Sequence, residues 1–235
     1  MKPTAATPRA TKTSPGEEAR LLETREVMPG RHLLHWAAPG IARAVQPGQF
    51  IYVRSPRQLG LLLPALPVAG FDRVDGTIDL LVTAGSATAA PVLGVREGEA
   101  ASLEGPLGRG FAIDARSRYL LAVADVDGLA RVRAIVDEAV ASGRQVTVLL
   151  GARSVADVLP STLLPDEAEY VVATADGSLG HHGPVADLVT EYEAWADQCF
   201  AAGSKALLAR MAHLAKGRDG RMGVARLGRR RGKRP

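Results

Sequence analysis

The sequence predicts a β + α/β protein, an N-terminal antiparallel β-barrel followed by a parallel-sheet α/β domain of the nucleotide-binding type. Before Asp114 the apolar segments are short and separated by turn formers, the rhythm of an antiparallel barrel. From Tyr119 onward, strand-like runs alternate with segments of helical period, which implies parallel strands joined by right-handed crossovers. The 235 residues are 46% hydrophobic but only 4% aromatic, enough apolar material for two small cores packed with Ala, Val and Leu.

In the first half the expected strands are Leu21–Val27, Arg31–Trp36, Gln49–Arg54, Thr77–Val82 and Ala100–Leu103. Pro29-Gly30, Pro47-Gly48 and Asp75-Gly76 supply the turns between them. One short helix is expected within Gly85–Val95. A boundary near Asp114–Ser117 gives a barrel over 19–115 and an α/β domain over 116–215. In the latter, Tyr119–Val123, Gln145–Leu150, Tyr170–Thr174 and Gln198–Ala201 read as strands. Gly128–Ala141, Pro184–Trp195 and Ser204–Leu214 read as helices, the first ended by Ser142-Gly143.

The two ends are of a different composition. Residues 1–18 are expected to form a disordered leader, and the stretch lacks the apolar h-region of a secretory signal. The segment 216–235 holds nine Lys or Arg and one Asp, a net +8. The total is +4, so the body carries −4. A Gly-rich basic tail with so little to bury is expected to be disordered and solvated, and able to touch an acidic surface. No aromatic residue is interleaved with its charges, which argues against base stacking and so against nucleic acid. No run of about 18 apolar residues marks a membrane span. The single cysteine, Cys199, excludes an internal disulfide, and a reducing cytoplasm is the expected compartment.

Little in the chain carries chemistry. Val123–Ala130 reads V-A-D-V-D-G-L-A, at the end of a strand and the start of a helix. A nucleotide-binding loop there needs glycines, so that backbone N–H groups can close on a pyrophosphate. Asp125 and Asp127 would repel a phosphate instead, and Gly128 alone of that pattern remains. His181 and His182 are adjacent and point apart on a strand or loop, poor geometry for sharing a metal; a turn before Pro184 is the simpler reading. Ser178, His181 and Asp187 invite a triad, but no G-x-S-x-G elbow surrounds Ser178. Asp176-Gly177-Ser178 reads as a turn, Cys199 as a small core residue, and Trp36 and Trp195 as core or interface residues.

Four segments occur in a recognisable order: Pro47-Gly48-Gln49-Phe50, G-P-L-G-R-G-F over Gly105–Phe111, V-T-V-L-L-G-A-R-S over Val146–Ser154, and A-D-G-S-L-G-H-H-G over Ala175–Gly183. Together they resemble the dihydroorotate dehydrogenase electron-transfer subunits, within the ferredoxin–NADP reductase family, over about Ala19 to Leu214. The resemblance implies a barrel of the FAD-binding type, an NAD-binding α/β domain and a C-terminal cysteine-rich segment with a [2Fe–2S] cluster. It also implies electron flow between NADH and a dihydroorotate-oxidising catalytic subunit.

This chain departs from the family at each cofactor. The flavin motif R-P-x-S is matched by Leu66-Pro67-Val68-Ala69, without the guanidinium or the hydroxyl. The second flavin element, G-x-G-T, is matched by Gly85-Ser86-Ala87-Thr88. The pyrophosphate glycines are matched by Ala124–Arg131, and the nicotinamide-side C-G-P by Ala202-Gly203-Ser204. After Met222 no cysteine follows, so an iron–sulfur cluster is not expected. Residual cofactor contacts are therefore placed on Gly85, Thr88 and Gly128, with no catalytic residue and no metal ligand. Gly105, Gly108 and Gly110 are expected to serve backbone geometry. Two functions follow: a non-catalytic relative acting as a structural or regulatory protein partner, or an active FAD-dependent NAD(P)H oxidoreductase with altered motifs.

Overall fold

The structure, a computed structural model, describes residues 16–56, 63–85, 89–192 and 194–215. The basic tail and most of the leader, with the disorder expected of them, lie outside these residues.

The barrel strands are β1 (Glu17–Met28), β2 (Arg31–Ala37), β3 (Phe50–Arg54), β4 (Ala65–Asp72), β5 (Thr77–Thr83) and β6 (Ala100–Leu107), with short helices α1 (Pro39–Ala44) and α2 (Ala90–Leu93) between them. They close in the order β1-β2-β5-β4-β3-β6, antiparallel at every pairing. Closure removes the sheet edges. Leu21, Leu34, Trp36, Ile51, Ile78, Leu80 and Leu103 fill the interior, all fully buried.

The second half carries β7 (Tyr119–Asp125), α3 (Leu129–Ala141), β8 (Gln145–Ala152), β9 (Glu169–Thr174), β10 (His181–His182), α4 (Val189–Tyr192), β11 (Gln198–Ala202) and α5 (Lys205–Ala215). Its sheet runs β10-β9-β8-β7-β11, parallel throughout. Both faces are covered, which is why these strands read as continuous apolar runs. Along β7 the alternation is direct: Leu120, Ala122 and Ala124 pack with α3, while Leu121 and Val123 pack with Leu207 and Met211 of α5.

Helix α3 is the joint of the molecule. One side lies on the sheet, and the other lies on the barrel wall beside Ala69 of β4 and Leu81 of β5. The phenyl rings of Phe111 and Phe200, 5.4 Å apart, extend that contact at the crossing between the two halves. Phe111 is held in turn by Pro47, whose carbonyl accepts its N–H at 2.7 Å. A Cβ on Gly48 would lie 2.7 Å from the Phe111 ring, one on Gly110 2.5 Å from Gln46, and one on Gly105 2.7 Å from Ile51. The P-G-Q-F and G-P-L-G-R-G-F segments thus pack on each other, and their glycines serve close approach.

Several elements differ from the sequence expectation. Strand β4 has no strand signature, because Pro67 argues against one; it sits opposite Phe50 while the Val68 N–H donates to the Gln49 carbonyl at 3.0 Å. Helix α1 is unannounced because its cap is distant: the Glu17 carboxylate on β1 accepts from Gly40 and Ile41 N–H at 2.8 and 2.7 Å. For the same reason β1 begins at Glu17, inside the segment read as leader, where it pairs with Leu103. Pro184–Trp195 is not one helix. Pro184 is extended, Val185–Asp187 form a 3-10 turn, and α4 adds a single turn. Val185, Ala186, Leu188 and Val189 are all buried against the sheet. His181 and His182, read as a turn, form β10 instead.

Candidate functional site

Ligands of open α/β sheets bind beyond the carboxyl ends of the strands. Here a cavity of about 600 Å³ opens at the ends of β7, β8 and β9 and at the start of α5. Its floor is the loop from Asp125 to Asp127. Asp125 closes β7, and its carboxylate turns back toward two helix starts. Oδ1 accepts the Gly128 N–H at 3.0 Å, and Oδ2 accepts the Ser204 N–H at 2.6 Å. Gly128 caps α3, and Ser204 directly precedes α5. The Ser204 hydroxyl also accepts from Leu207 N–H at 3.3 Å, an N-cap on α5.

The approach is close enough to fix both glycines. A Cβ on Gly128 would fall 2.0 Å from the Ala202 carbonyl oxygen, and one on Gly203 would fall 2.5 Å from Asp125 Oδ1. Gly128, expected to contact a cofactor, is therefore required first by the backbone of β11. Asp127 lies differently: it is 85% exposed and faces Arg31 of β2 at 3.7 Å.

A pyrophosphate does not fit this arrangement. The Gly128 and Ser204 N–H groups already hold a carboxylate, through charge-assisted bonds of about 1.5–3 kcal/mol each. A phosphate oxygen about 4 Å from that carboxylate would be repelled by about 4 kcal/mol at an effective dielectric of about 20. Repulsion outweighs any one bond it could gain. The arginines around the cavity have partners of their own, Arg153 with Asp157 at 3.1 Å and Arg210 with Asp187. Those pairs are largely exposed and cost little to break. The Asp125 seat therefore decides the fit.

A second cavity, of about 210 Å³, lies on the barrel side of the same seam and is lined by Arg31, Leu66, Pro67 and Ala89 among others. Leu66 packs on the barrel core, and Ala69 is fully buried beneath α3. Neither side chain has a polar atom to offer a flavin. Gly85 has φ +90 with open space where a Cβ would stand, so its turn geometry, and no close neighbour, selects glycine. Thr88 lies outside the described residues. The structure thus places Gly128 behind the Asp125–Asp127 wall of the large cavity and leaves Gly85 in a turn, and neither glycine lines either cavity.

Three features carry no motif in the sequence. One is the double cap by Asp125, which links loops 79 positions apart. Another is Arg31, 15% exposed, which lines both cavities and donates to Thr83 Oγ1 at 3.0 Å. The third is a charged cluster under α3. There Asp79 accepts from Arg133 at 2.8 Å and meets His35 Nδ1 at 2.8 Å, and Asp137 stands 3.9 Å from Arg133. Burial pushes the Asp137 carboxyl up to about 6 against the pull of Arg133. These residues join the barrel to α3 and line neither cavity.

The remaining candidates are structural. Ser178 Oγ accepts from Val155 N–H at 2.7 Å and donates to Asp176 Oδ1 at 2.6 Å, so it closes a turn; those bonds hold the Asp176 carboxyl below its ordinary range. Cys199 is buried in the sheet and its thiol is pushed up to about 12 by burial. Among the described residues no three His, Cys, Asp or Glu converge as a metal site, and no helix is long and apolar enough to cross a membrane.

No family model matches the chain. Over 180 residues it is 32% identical to the dihydroorotate dehydrogenase B (NAD(+)) electron transfer subunit of Desulforamulus reducens, covering 76% of this chain and 69% of that one. The corresponding subunit of Shouchella clausii is 31% identical over 166 residues, covering 69% of this chain and 64% of that one. Among solved structures, the fold is similar to an NADH-dependent reduced ferredoxin–NADP oxidoreductase (TM-score 0.71, 22% identity, 87% of this chain and 74% of that chain). It is also similar to the ferredoxin reductase of carbazole 1,9a-dioxygenase (TM-score 0.75, 20% identity, 93% and 68%). A Neisseria gonorrhoeae ferredoxin NADP+ reductase, solved with bound FAD and NADP, shares the fold at 12% identity (TM-score 0.69, 90% and 98%). With the barrel, the α/β sheet and this level of identity, the chain belongs to the family of dihydroorotate dehydrogenase electron transfer subunits, on the ferredoxin reductase fold.

Proposed function

We propose that the chain is a non-catalytic member of this family, a structural or regulatory partner of a dihydroorotate dehydrogenase-like catalytic subunit in the cytoplasm. The electron-transfer setting comes from the relatives' names; the non-catalytic role rests on this chain's own residues. The observation that carries it is on β4, where Leu66 and Ala69 stand at the flavin motif and turn into apolar cores. A flavin phosphate placed there meets no guanidinium, and the ring meets no hydroxyl. Asp125 supports the same reading for NAD(H). The basic tail is then a contact for an acidic surface of the partner.

A second reading, an active FAD-dependent NAD(P)H oxidoreductase passing electrons between NAD(H) and dihydroorotate dehydrogenase, is favoured by one observation. Arg31, a largely buried cation, lines the small cavity next to Leu66. A guanidinium there can meet a flavin phosphate from β2 in place of the one missing from β4. The visible spectrum of the purified chain, followed by an FAD titration, decides between the two. A colourless protein with no saturable binding below about 10 μM FAD is expected. A yellow protein with stoichiometric flavin that NADH bleaches overturns the proposal.

A further inference from the structure

We propose that Asp125 is a built-in anion of the cleft. Its carboxylate holds the seat that a ligand phosphate holds in glycine-rich loops at this place in the fold, and it fastens α3 and α5 to β7 without any ligand. The proposal deepens the non-catalytic reading at the nucleotide half and rests on it.

Three observations converge on this residue. The two oxygens are divided between two loops: Oδ2 accepts the Ser204 N–H at 2.6 Å, and Oδ1 accepts at 3.0 Å from the Gly128 N–H, which also donates to the Asp125 backbone carbonyl at 2.8 Å, so the carboxylate ties the start of α5 to the β7–α3 loop. The carboxylate is closely seated, since a Cβ on Gly203 would fall 2.5 Å from Asp125 Oδ1. The other two acidic groups at the cavity wall, Asp127 and Asp157, instead face guanidinium groups, Arg31 and Arg153. Asp125 alone of the three is directed at backbone N–H groups. Buried or half-buried N–H groups at a helix start must find an acceptor. In a phosphate-binding loop that acceptor arrives with the ligand. In this chain it arrives with the fold, so α5 is anchored and the cleft is charge-satisfied before any molecule enters.

Site-resolved amide exchange and thermal melts of the full chain test this, with inorganic phosphate and ADP as probes. The wild-type melting temperature is expected to ignore about 10 mM of either probe, because the seat is taken. Asp125→Gly is expected to melt roughly 3–6 °C lower with no probe present and to recover in a concentration-dependent way when phosphate or ADP is added. Asp125→Asn keeps the shape but offers one acceptor oxygen and an NH₂, which cannot serve both N–H groups. Exchange at Ser204 is expected to rise about tenfold in that variant, while the Gly128 amide, held by a backbone carbonyl, and the core of β8 are unchanged.

Stabilisation of the wild type by ADP would show that a ligand displaces the carboxylate and would overturn the proposal. Unchanged exchange at Ser204 in Asp125→Asn would overturn it too, including the case in which Asp125→Gly does not fold. Neither result touches the flavin spectrum, which tests the non-catalytic reading at the barrel.

Discussion

On the reading proposed above, the β4 strand and the β7–α3 loop stand at the two cofactor positions of the family, and the two are built in opposite ways. On β4 the change is subtraction. Leu66 and Ala69 have no polar atoms, and each enters a neighbouring core, Leu66 that of the barrel and Ala69 the layer under α3. No donor is left without an acceptor, so nothing further is needed. At the end of β7 the change is addition, because a glycine at 125 would leave the Ser204 N–H at the cavity without that acceptor, while the Gly128 N–H would keep the backbone carbonyl of residue 125. Asp125 supplies the acceptor. A ligand site made of side chains can be closed by apolar replacement, whereas one made of backbone N–H groups needs an internal acceptor.

The largest test of this contrast is at the glycines once assigned to cofactors. Gly128→Ala drives a Cβ to 2.0 Å from the Ala202 carbonyl, a backbone atom that cannot swing aside. A loss of about 3 kcal/mol or more is expected, a drop of roughly 6–12 °C in Tm measured with no nucleotide present. Gly85→Ala is the control on the barrel side: it meets no atom within 4 Å and suffers only its φ of +90, a cost of about 1–2 kcal/mol. Equal losses at the two positions would mean that Gly128 is not held by packing against β11.

A smaller effect is expected where the two halves meet. Arg133 of α3 and Asp79 of β5 are 17% and 18% exposed and bonded at 2.8 Å. Arg133→Met keeps the packed stem but leaves the Asp79 carboxylate with His35 alone. Breaking a pair this buried costs about 2–3 kcal/mol, below the full penalty of a dry interior, and denaturant melts measure it. Loss of cooperativity between barrel and sheet signals would further show that the ion pair, with Phe111 and Phe200, couples the halves. An unchanged midpoint would assign that coupling to the apolar contacts.

Much of the fold is legible in the sequence, because period-2 and period-3.6 patterns are local. Strands β2, β3, β5, β6, β7, β8, β9 and β11 fall where their apolar residues place them, and α3 ends at Ser142-Gly143 as its glycine requires. Features set by distant partners are hidden. Glu17 caps α1 from 23 positions away, Asp125 caps across 79, and Pro67 sits in a strand only because Phe50 lies opposite. For the candidate site, the resemblance to the family implies the missing loop glycines and flavin arginine. It cannot give the destination of Asp125, which reads from the sequence as a charge that repels phosphate and proves in the fold to be a ligand of two backbone amides.

The smallest effect separates the seam from the seat by pH. Burial raises Asp137 from 3.8 to about 6, opposed by Arg133 and reinforced by Asp79. Between those values the folded chain holds more protons than the unfolded chain, so this residue's contribution to stability falls as pH rises from about 4 to about 6. Asp137→Asn removes that term. Below pH 4 variant and wild type carry the same charge at this position and should melt together. Above about pH 6 the variant is expected to be the more stable by roughly 1–2 °C, a small gain because 38% of the side chain is in water and screened. A gain of equal size at low pH would assign the effect to packing under α3, and a loss at pH 7 would show that the attraction to Arg133 outweighs the burial of the charge.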